Sequence, residues 1–391
     1  MAGDLLVLQA GGKMKTCFWI VVGLILWHYV GYPLVLGVLA RLKRAKASPL
    51  PDELPQVSII IAAHNEERII ARRIENCLGL DYPKDRLEII VGSDGSTDRT
   101  AEIAKKYEPQ GVRVLAFPNN RGRSQVHNDC VREATGEIVC FTDADTLYAP
   151  DCIRKLVRHY ADPKVGCVGG ELRSRSFQQG AIGGGQGLYW RWEYALRRWQ
   201  SKLGVLTKAS GANMSMRKEL YRPVPDDVDI DQAAGPMVVL QGYRVVHEPE
   251  AIAYEEFPTS LARELATRRR LTIRALTALW RYRELLNPFK HPWLAFHTCS
   301  YRLLRYLMPF LLLGALTING LLLREGWLYD VAFALQGVFY LLGFIGFFLE
   351  KRGKRFWIFS WPFAFLWFQV GILTGTLEFL LGKRIKAYTP N

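Results

Sequence analysis

Two carboxylates one residue apart, Asp143 and Asp145, close the apolar run 137–142 (Glu-Ile-Val-Cys-Phe-Thr). Carboxylates at the end of a buried strand offer hard oxygen ligands to a small divalent cation, Mg²⁺ or Mn²⁺. Phosphate oxygens and water would complete its sphere. A lone Asp-x-Asp also serves as a solvated loop or helix cap, so the surrounding elements decide its meaning. A second acidic group follows at Asp226, Asp227, Asp229 and Asp231. Crowded like charges raise the pKa of one member, which suits it to proton abstraction.

The segments 57–62, 87–91 and 112–116 are short apolar runs that read as strands, as does 137–142. Helical patterns fill 66–78, 97–107 and 124–134, with Ser96 or Thr97 as the cap of the second. This alternation predicts a mostly parallel α/β sheet with right-handed crossovers. Ligands of such sheets sit at the carboxyl ends of strands. His64-Asn65-Glu66, Asp94 and Asp143-Ala144-Asp145 all fall there. Neither G-x-G-x-x-G nor G-x-x-x-x-G-K-[ST] follows the first strand. A dinucleotide or P-loop fold is therefore disfavoured, and phosphate is left to metal and cations.

The chain has 391 residues, 49% of them hydrophobic, and a formal net charge of +14. That length accommodates a catalytic domain and a membrane part. Residues 1–17 read as an N-terminal tail and 18–40 as a transmembrane helix. Arg41, Lys43, Arg44 and Lys46 follow it, which places the domain at 50–290 in the cytosol. Residues 291–301 read as an interfacial helix, and 303–381 as three C-terminal transmembrane or re-entrant helices. Transmembrane helices thus flank the domain at both ends. Lys351, Arg352, Lys354 and Arg355 put the loop between the last two on the cytosolic side. The expected location is integral to the plasma or cytoplasmic membrane. Positive charge concentrated at membrane flanks points to membrane lipid as a partner, and not to nucleic acid. The seven cysteines form no C-x-x-C pair, in keeping with reduced thiols.

Several motifs, in order, resemble those of the family 2 glycosyltransferases, which have a GT-A fold. Val57-Ser58-Ile59-Ile60-Ile61-Ala62-Ala63-His64-Asn65-Glu66-Glu67 looks like the opening strand and its Asn-Glu turn. Gly92-Ser93-Asp94-Gly95-Ser96-Thr97-Asp98 is similar to the Asp-Asp-Gly-Ser-x-Asp segment, with Ser93 for the first Asp. Asn120-Arg121-Gly122-Arg123 resembles Asn-x-Gly-Lys, with Arg123 for Lys. Asp143-Ala144-Asp145 falls where the family's metal motif falls. The resemblance covers about 57–275.

It implies an inverting, metal-dependent transferase that moves a sugar from a nucleotide-sugar donor to a saccharide or lipid-linked acceptor. Polysaccharide or cell-envelope glycan synthesis is the implied setting. On the donor side it implies Ala63, Asn65, Glu66, Asp94, Arg123, Asp143 and Arg270, with Asp94 at the base edge and Arg123 on the diphosphate. It implies Asp145, with Asp143, as ligands of Mg²⁺ or Mn²⁺. Counting back from Gly242-Tyr243-Arg244-Val245-Val246 puts Asp231 at the base position, with Asp229 as the close rival. Gly211 and Asn213 look like the acceptor-site turn. Trp190 and Glu193 share a helical face in an aromatic cluster that suits packing at a membrane interface or the lining of an acceptor groove. Thr267 and Leu271 flank Arg270 in place of the Gln or Arg and the Trp of the processive polysaccharide synthases. Two other readings stay open: a polyprenyl-phosphate glycosyltransferase, and a catalytically silent membrane scaffold.

Overall fold

The computed structural model describes residues 2–43, 53–174, 181–255, 261–354 and 356–386. Side chains are described from 12 onward, except those of 174 and 181–190. The strands are β1 (Val57–Ala63), β2 (Leu87–Asp94), β3 (Val112–Phe117), β4 (Ile138–Asp143), β5 (Leu147–Tyr148), β6 (Val165–Ser174), β7 (Met214–Arg217) and β8 (Arg244–Glu255). The helices of the first half are α1 (Ala2–Leu26), α2 (Tyr32–Leu42), α3 (Ile70–Leu78), α4 (Thr100–Lys105), α5 (Arg123–Glu133) and α6 (Cys152–Val157). Those of the second half are α7 (Ala181–Leu203), α8 (Ile230–Leu240), α9 (Leu261–Arg281), α10 (Pro292–His297), α11 (Leu304–Leu321), α12 (Trp327–Lys351) and α13 (Trp357–Leu380).

One eight-stranded sheet runs in the order β3-β2-β1-β4-β7-β6-β8-β5. β1 pairs in parallel with β2 and β4, as do β2 with β3 and β6 with β8. The short β7 and β5 are antiparallel. β1 is buried on both faces, as expected of a central parallel strand. Ile59 and Ile61 meet Ile70, Ile74 and Cys77 of α3 on one side. Ile60 meets Val126 and Cys130 of α5, with Met237 of α8 nearby in the same cluster, on the other. The register sets Ala62 beside Asp143 and Ala63 beside Ser93, so the polar strand ends line up along one edge.

The helix starts differ from the sequence reading for a local reason. Ser96 and Thr97 do not cap α4. Asn65 engages both, through Asn65 N–H to Ser96 Oγ at 3.2 Å and Thr97 N–H to Asn65 Oδ1 at 2.8 Å. Asp98 takes the cap instead: Oδ1 accepts from Thr100 N–H at 2.9 Å and Oδ2 from Glu67 N–H at 3.1 Å. α3 begins only at Ile70, because Ile69 and Ile70 N–H first turn back onto the Glu66 carbonyl.

Two apolar boundaries also differ. Residues expected as a tail are helical from Ala2, and a π-helical turn, Trp27–Gly31, joins α1 to α2. Residues 291–301 form no separate element. α10 passes through a π-helical stretch, Thr298–Leu303, straight into α11. Among the described residues four helical runs are long and apolar enough to cross a membrane: Gly12–Leu42, Pro292–Leu321, Trp327–Lys351 and Trp357–Leu380. Leu34, Leu335, Phe344 and Trp357 on them are exposed, as lipid-facing side chains would be.

The sheet domain is tied to these runs by close backbone approach. α9 lies on α13, where a Cβ on Gly371 would stand 2.7 Å from Arg268 Cβ. α8 presses on the 207–208 segment in the same way. A Cβ on Gly235 would sit 2.1 Å from the Thr207 carbonyl oxygen. Replacing a helical glycine with alanine ordinarily stabilises by up to about 1 kcal/mol. Here the backbone carbonyl cannot yield, so Gly235→Ala is expected to destabilise by about 2 kcal/mol. Thermal unfolding of the purified protein measures this; an unchanged or raised midpoint would refute the close contact.

Candidate active site

The polar edge of the sheet begins where β1 ends. Asn65 adopts a left-handed backbone, φ 56°, and turns the chain across the strand ends. His64 Nδ1 lies 2.6 Å from the Asp94 carbonyl oxygen. The Asp94 carboxylate is buried and accepts from Arg121 N–H at 2.8 Å and Gly122 N–H at 2.9 Å. Asp94 therefore fixes the loop that delivers Arg123 to the start of α5. Ala63 is buried in the sheet beside Ser93, and the Asn65 amide is used by the 96–97 turn.

Arg123 Nη1 meets Asp143, at 2.9 Å from Oδ1 and 3.1 Å from Oδ2. Asp143 holds this guanidinium above its ordinary pKa, and Asp229, Asp145 and Asp231 add to the effect. One cation thus feels both acidic groups of the sequence. Around it negative charge is in excess. Burial raises the pKa of Asp145, and the adjacent Asp143 raises it further. Burial pushes Glu66 up to about 7, with Asp145 and Asp143 adding repulsion. Glu255, at the end of β8, is pushed up to about 8 by burial and the same two aspartates. A cavity of about 100 Å³, lined by Ile69, Arg72, Asp145, Tyr254 and Glu255 among others, opens at this point.

Four mutually repelling carboxylates, with Arg123 paired to Asp143 and Arg72 on the cavity wall, form an all-oxygen donor set short of positive charge. That set fits a hard divalent cation. Among the described residues no three His, Cys, Asp or Glu side chains are arranged to hold an ion unaided. Such an ion would be shared with substrate phosphates, the usual Mg²⁺ arrangement.

The second acidic group sorts itself by its partners. Asp227 accepts from Arg281 Nε at 2.9 Å and Nη2 at 2.8 Å. Asp229, at the N-cap of α8, is ion-paired with Arg274 Nη1. Asp226 lies 3.7 Å from Lys386 Nζ. Asp231, like Asp226, is not held by an arginine: Gln232 Nε2 donates to Oδ2 at 2.8 Å, and Lys208 Nζ stands 3.8 Å away. Burial raises its pKa, Asp229 raises it further, and Lys208 only partly offsets this. Gly211 backs onto it, where a Cβ would come within 3.2 Å of Asp231 Cβ.

Other expected residues take different places. Asn213 is not part of an open acceptor turn. It is fully buried, and its Nδ2 donates to the carbonyls of Glu171 at 3.1 Å and Ala251 at 2.9 Å. Glu193 does not line an open groove either. It is buried between Arg197 Nε at 3.2 Å and Arg305 Nη2 at 3.0 Å, and accepts from Tyr301 Oη. The side chain of Trp190 lies outside the described residues. On α9 the arginines seen on the acidic group are Arg274 and Arg281; Arg270, one turn before Arg274, is half-buried. Glu255, Lys208 and Arg302 escaped the sequence reading. Only Glu255 left a signal, a carboxylate at the carboxyl end of a strand.

Residues 58–224 match the sequence profile of glycosyl transferase family 2. The "Probable glycosyltransferase YdaM" of Bacillus subtilis (strain 168) is 30% identical over 219 residues, 53% of this chain and 52% of that protein. The poly-beta-1,6-N-acetyl-D-glucosamine synthase of Staphylococcus aureus (strain COL) is 30% identical over 221 residues, 54% of this chain and 52% of that protein. The chain thus spans about half the length of these curated relatives. Among solved structures, the mannosyltransferase PcManGT from Pyrobaculum calidifontis, in complex with GDP-Man and Mn²⁺, superposes with a TM-score of 0.71. It is 24% identical, and the match covers 94% of this chain and 99% of that one. The two share a GT-A fold. Asp94, Arg123, Asp143 and Asp145 all lie inside the segment that matches glycosyl transferase family 2.

Proposed function

We propose that the protein is a membrane-bound, inverting glycosyltransferase. It takes a sugar from a nucleoside diphosphate donor and passes it to a hydroxyl of a saccharide or lipid-linked acceptor, in the synthesis of a polysaccharide or envelope glycan. One observation carries the reading. Arg123 faces both the carboxylate cluster and Asp231, which, unlike Asp227 and Asp229, is not held by an arginine. The family 2 segment and the relatives named as a glycosyltransferase and a polysaccharide synthase support it.

Asp231 removes the proton of the acceptor hydroxyl. The oxygen bonds to the anomeric carbon from the face opposite the leaving group, whose carbon–oxygen bond to the diphosphate breaks. A raised pKa suits Asp231 to this proton transfer, and the Arg274 pair makes Asp229 the weaker rival. On the donor side Asp94 holds the loop and Arg123 offers a guanidinium to the diphosphate. Asp145, with Asp143, would hold Mg²⁺ or Mn²⁺, which supplies positive charge to the departing diphosphate. Glu66 and Glu255 line the same mouth. The four long apolar runs set the domain at a membrane, and the basic residues at 41–46 and 351–355 put it on the cytosolic side.

Asp231→Asn is expected to cut transfer by about 10²–10⁴-fold, while donor binding stays near wild type. Asp229→Asn is expected to cost far less. The assay is nucleoside diphosphate release and product formation across a donor and acceptor panel. Full transfer by the Asp231 variant would move the base elsewhere, and a folded wild type inert on the whole panel would leave a scaffold.

The base must be ionised to act. The rate is therefore expected to rise with pH along a limb lying above the ordinary aspartate value of 3.8. A limb at or below that value, in a kcat/KM profile, would argue against Asp231.

Cation binding has a readout apart from turnover. Mn²⁺ with nucleoside diphosphate is expected to raise the thermal midpoint of the wild type, because it binds the folded state. The same addition to Asp145→Asn is expected to do much less. An equal rise in both would remove Asp145 from the cation site.

A further inference from the structure

A second cavity lies on the other side of Asp231. There the 207–208 segment and α8 meet the helical run 292–321. Its walls include Thr207, Lys208, Gln232, Tyr301, Arg302 and Arg305. Arg302 is only 5% exposed. Its Nη2 donates to Gln232 Oε1 at 3.0 Å, and its Nη1 has no hydrogen-bond partner among the described residues. Thr207 Oγ1, 1% exposed, likewise has none.

A guanidinium stays charged at any ordinary pH. Burying one against a neutral amide, with a donor unmet, costs several kcal/mol unless something supplies the charge. In an apolar helix of spanning length such a residue points to a functional site. The neighbouring cations do not share its problem equally. Glu193 is shared by Arg197 and Arg305. Lys208 faces only Asp231, at 3.8 Å, and burial pushes its pKa down to about 8. Among the described residues, the cations here are Arg197, Lys208, Arg302 and Arg305, and the carboxylates are Glu193 and Asp231. The cavity lacks an anion.

Size narrows the occupant. The volume is about 20 Å³, space for one oxygen-sized group and too little for a sugar ring. Position narrows it further. Gln232 donates to Asp231 at 2.8 Å with Nε2 and accepts from Arg302 with Oε1. One glutamine amide thus separates the candidate base from the buried cation. A hydroxyl at Asp231 and an anion at Arg302 would then stand on either side of that one amide. Most of the lining belongs to the run 292–321, which is long and apolar enough to cross a membrane, so the cavity lies beside a candidate span.

We infer that this cavity binds a phosphate oxygen of the acceptor, and that the acceptor sugar is therefore carried on a lipid phosphate. The phosphate is not consumed. It anchors the acceptor through Arg302, Lys208 and Thr207, while the sugar hydroxyl reaches Asp231. This rests on the reading of Asp231 as the base and deepens the acceptor assignment.

The test uses the full chain in nanodiscs and three probes: geranylgeranyl phosphate, geranylgeraniol and inorganic phosphate. Binding is read directly by calorimetry, so its outcome does not depend on turnover. Geranylgeranyl phosphate is expected to bind at least about tenfold more tightly than either other probe, as a charge-assisted contact requires. Arg302→Gln is expected to erase the preference for phosphate over alcohol, with Mn²⁺–nucleoside diphosphate binding retained as the control for folding. Lys208→Gln, outside the apolar run, provides the same comparison if the first variant does not fold. Equal binding of alcohol and phosphate, or a preference untouched by either variant, would overturn the inference. Inorganic phosphate binding as tightly as the lipid would overturn its lipid part. Phosphate selectivity in a protein inert toward every donor would leave the cavity assigned and sink only the transferase reading.

Discussion

Arg123 is one positive charge between two sets of carboxylates, and the site is arranged around that shortage. Its guanidinium pairs with Asp143 while also facing Asp145, Asp229 and Asp231. One guanidinium cannot neutralise all of them. Burial raises the pKa values of Glu66, Asp145 and Glu255, and the remaining repulsion raises them further. An arrangement of this kind is costly for an empty protein and favourable for one that takes up a cation and a diphosphate. The same shortage leaves Asp231 on the other side able to accept a proton.

Holding that geometry takes rigid support, and the parallel sheet supplies it. The β1 to β4 register puts Ala62 beside Asp143, and the Asp94 carboxylate fastens the loop before Arg123 through two backbone N–H groups. On the opposite side, the approach of Gly235 to Thr207 sets α8, and with it Asp231, against the 207–208 segment. α9 then links this helix to the apolar part of the chain. Arg274 and Arg281 neutralise Asp229 and Asp227, while Arg268 and Thr272 of α9 lie against the glycines of α13. The surroundings of Asp231 are thus built partly from span-length helices, so these helices shape the site as well as flanking it.

The sheet and the Asp-x-Asp edge were legible because strand periodicity and polar strand ends are local signals. Boundaries were less so. α4 begins where Asp98, and neither Ser96 nor Thr97, can cap it, since Asn65 from a distant turn occupies those two residues. Asn213 and Glu193 looked like acceptor groups by motif and helical face. Packing turned the first into a backbone tie and the second into the shared counter-ion of two arginines. The run 291–301, with its mixture of aromatic and polar residues, resembled a surface helix. It continues into α11 because its polar side chains find buried partners: Tyr32 Oη for His297 and Glu193 for Tyr301.

Residue types and local spacing by themselves determined the alternating α/β order, the apolar runs, and the carboxylates at strand ends. These follow from periodicity and from which side chains can ligate a cation. Which of four aspartates keeps its charge unneutralised was decided only by tertiary structure. Arg274, Arg281 and Lys386 come from 45 to 160 positions further along the chain and sit opposite three of them. The fourth, Asp231, meets only Gln232 and a more distant Lys208. Ion pairing depends on distance in space, and the order of residues along a chain does not contain it.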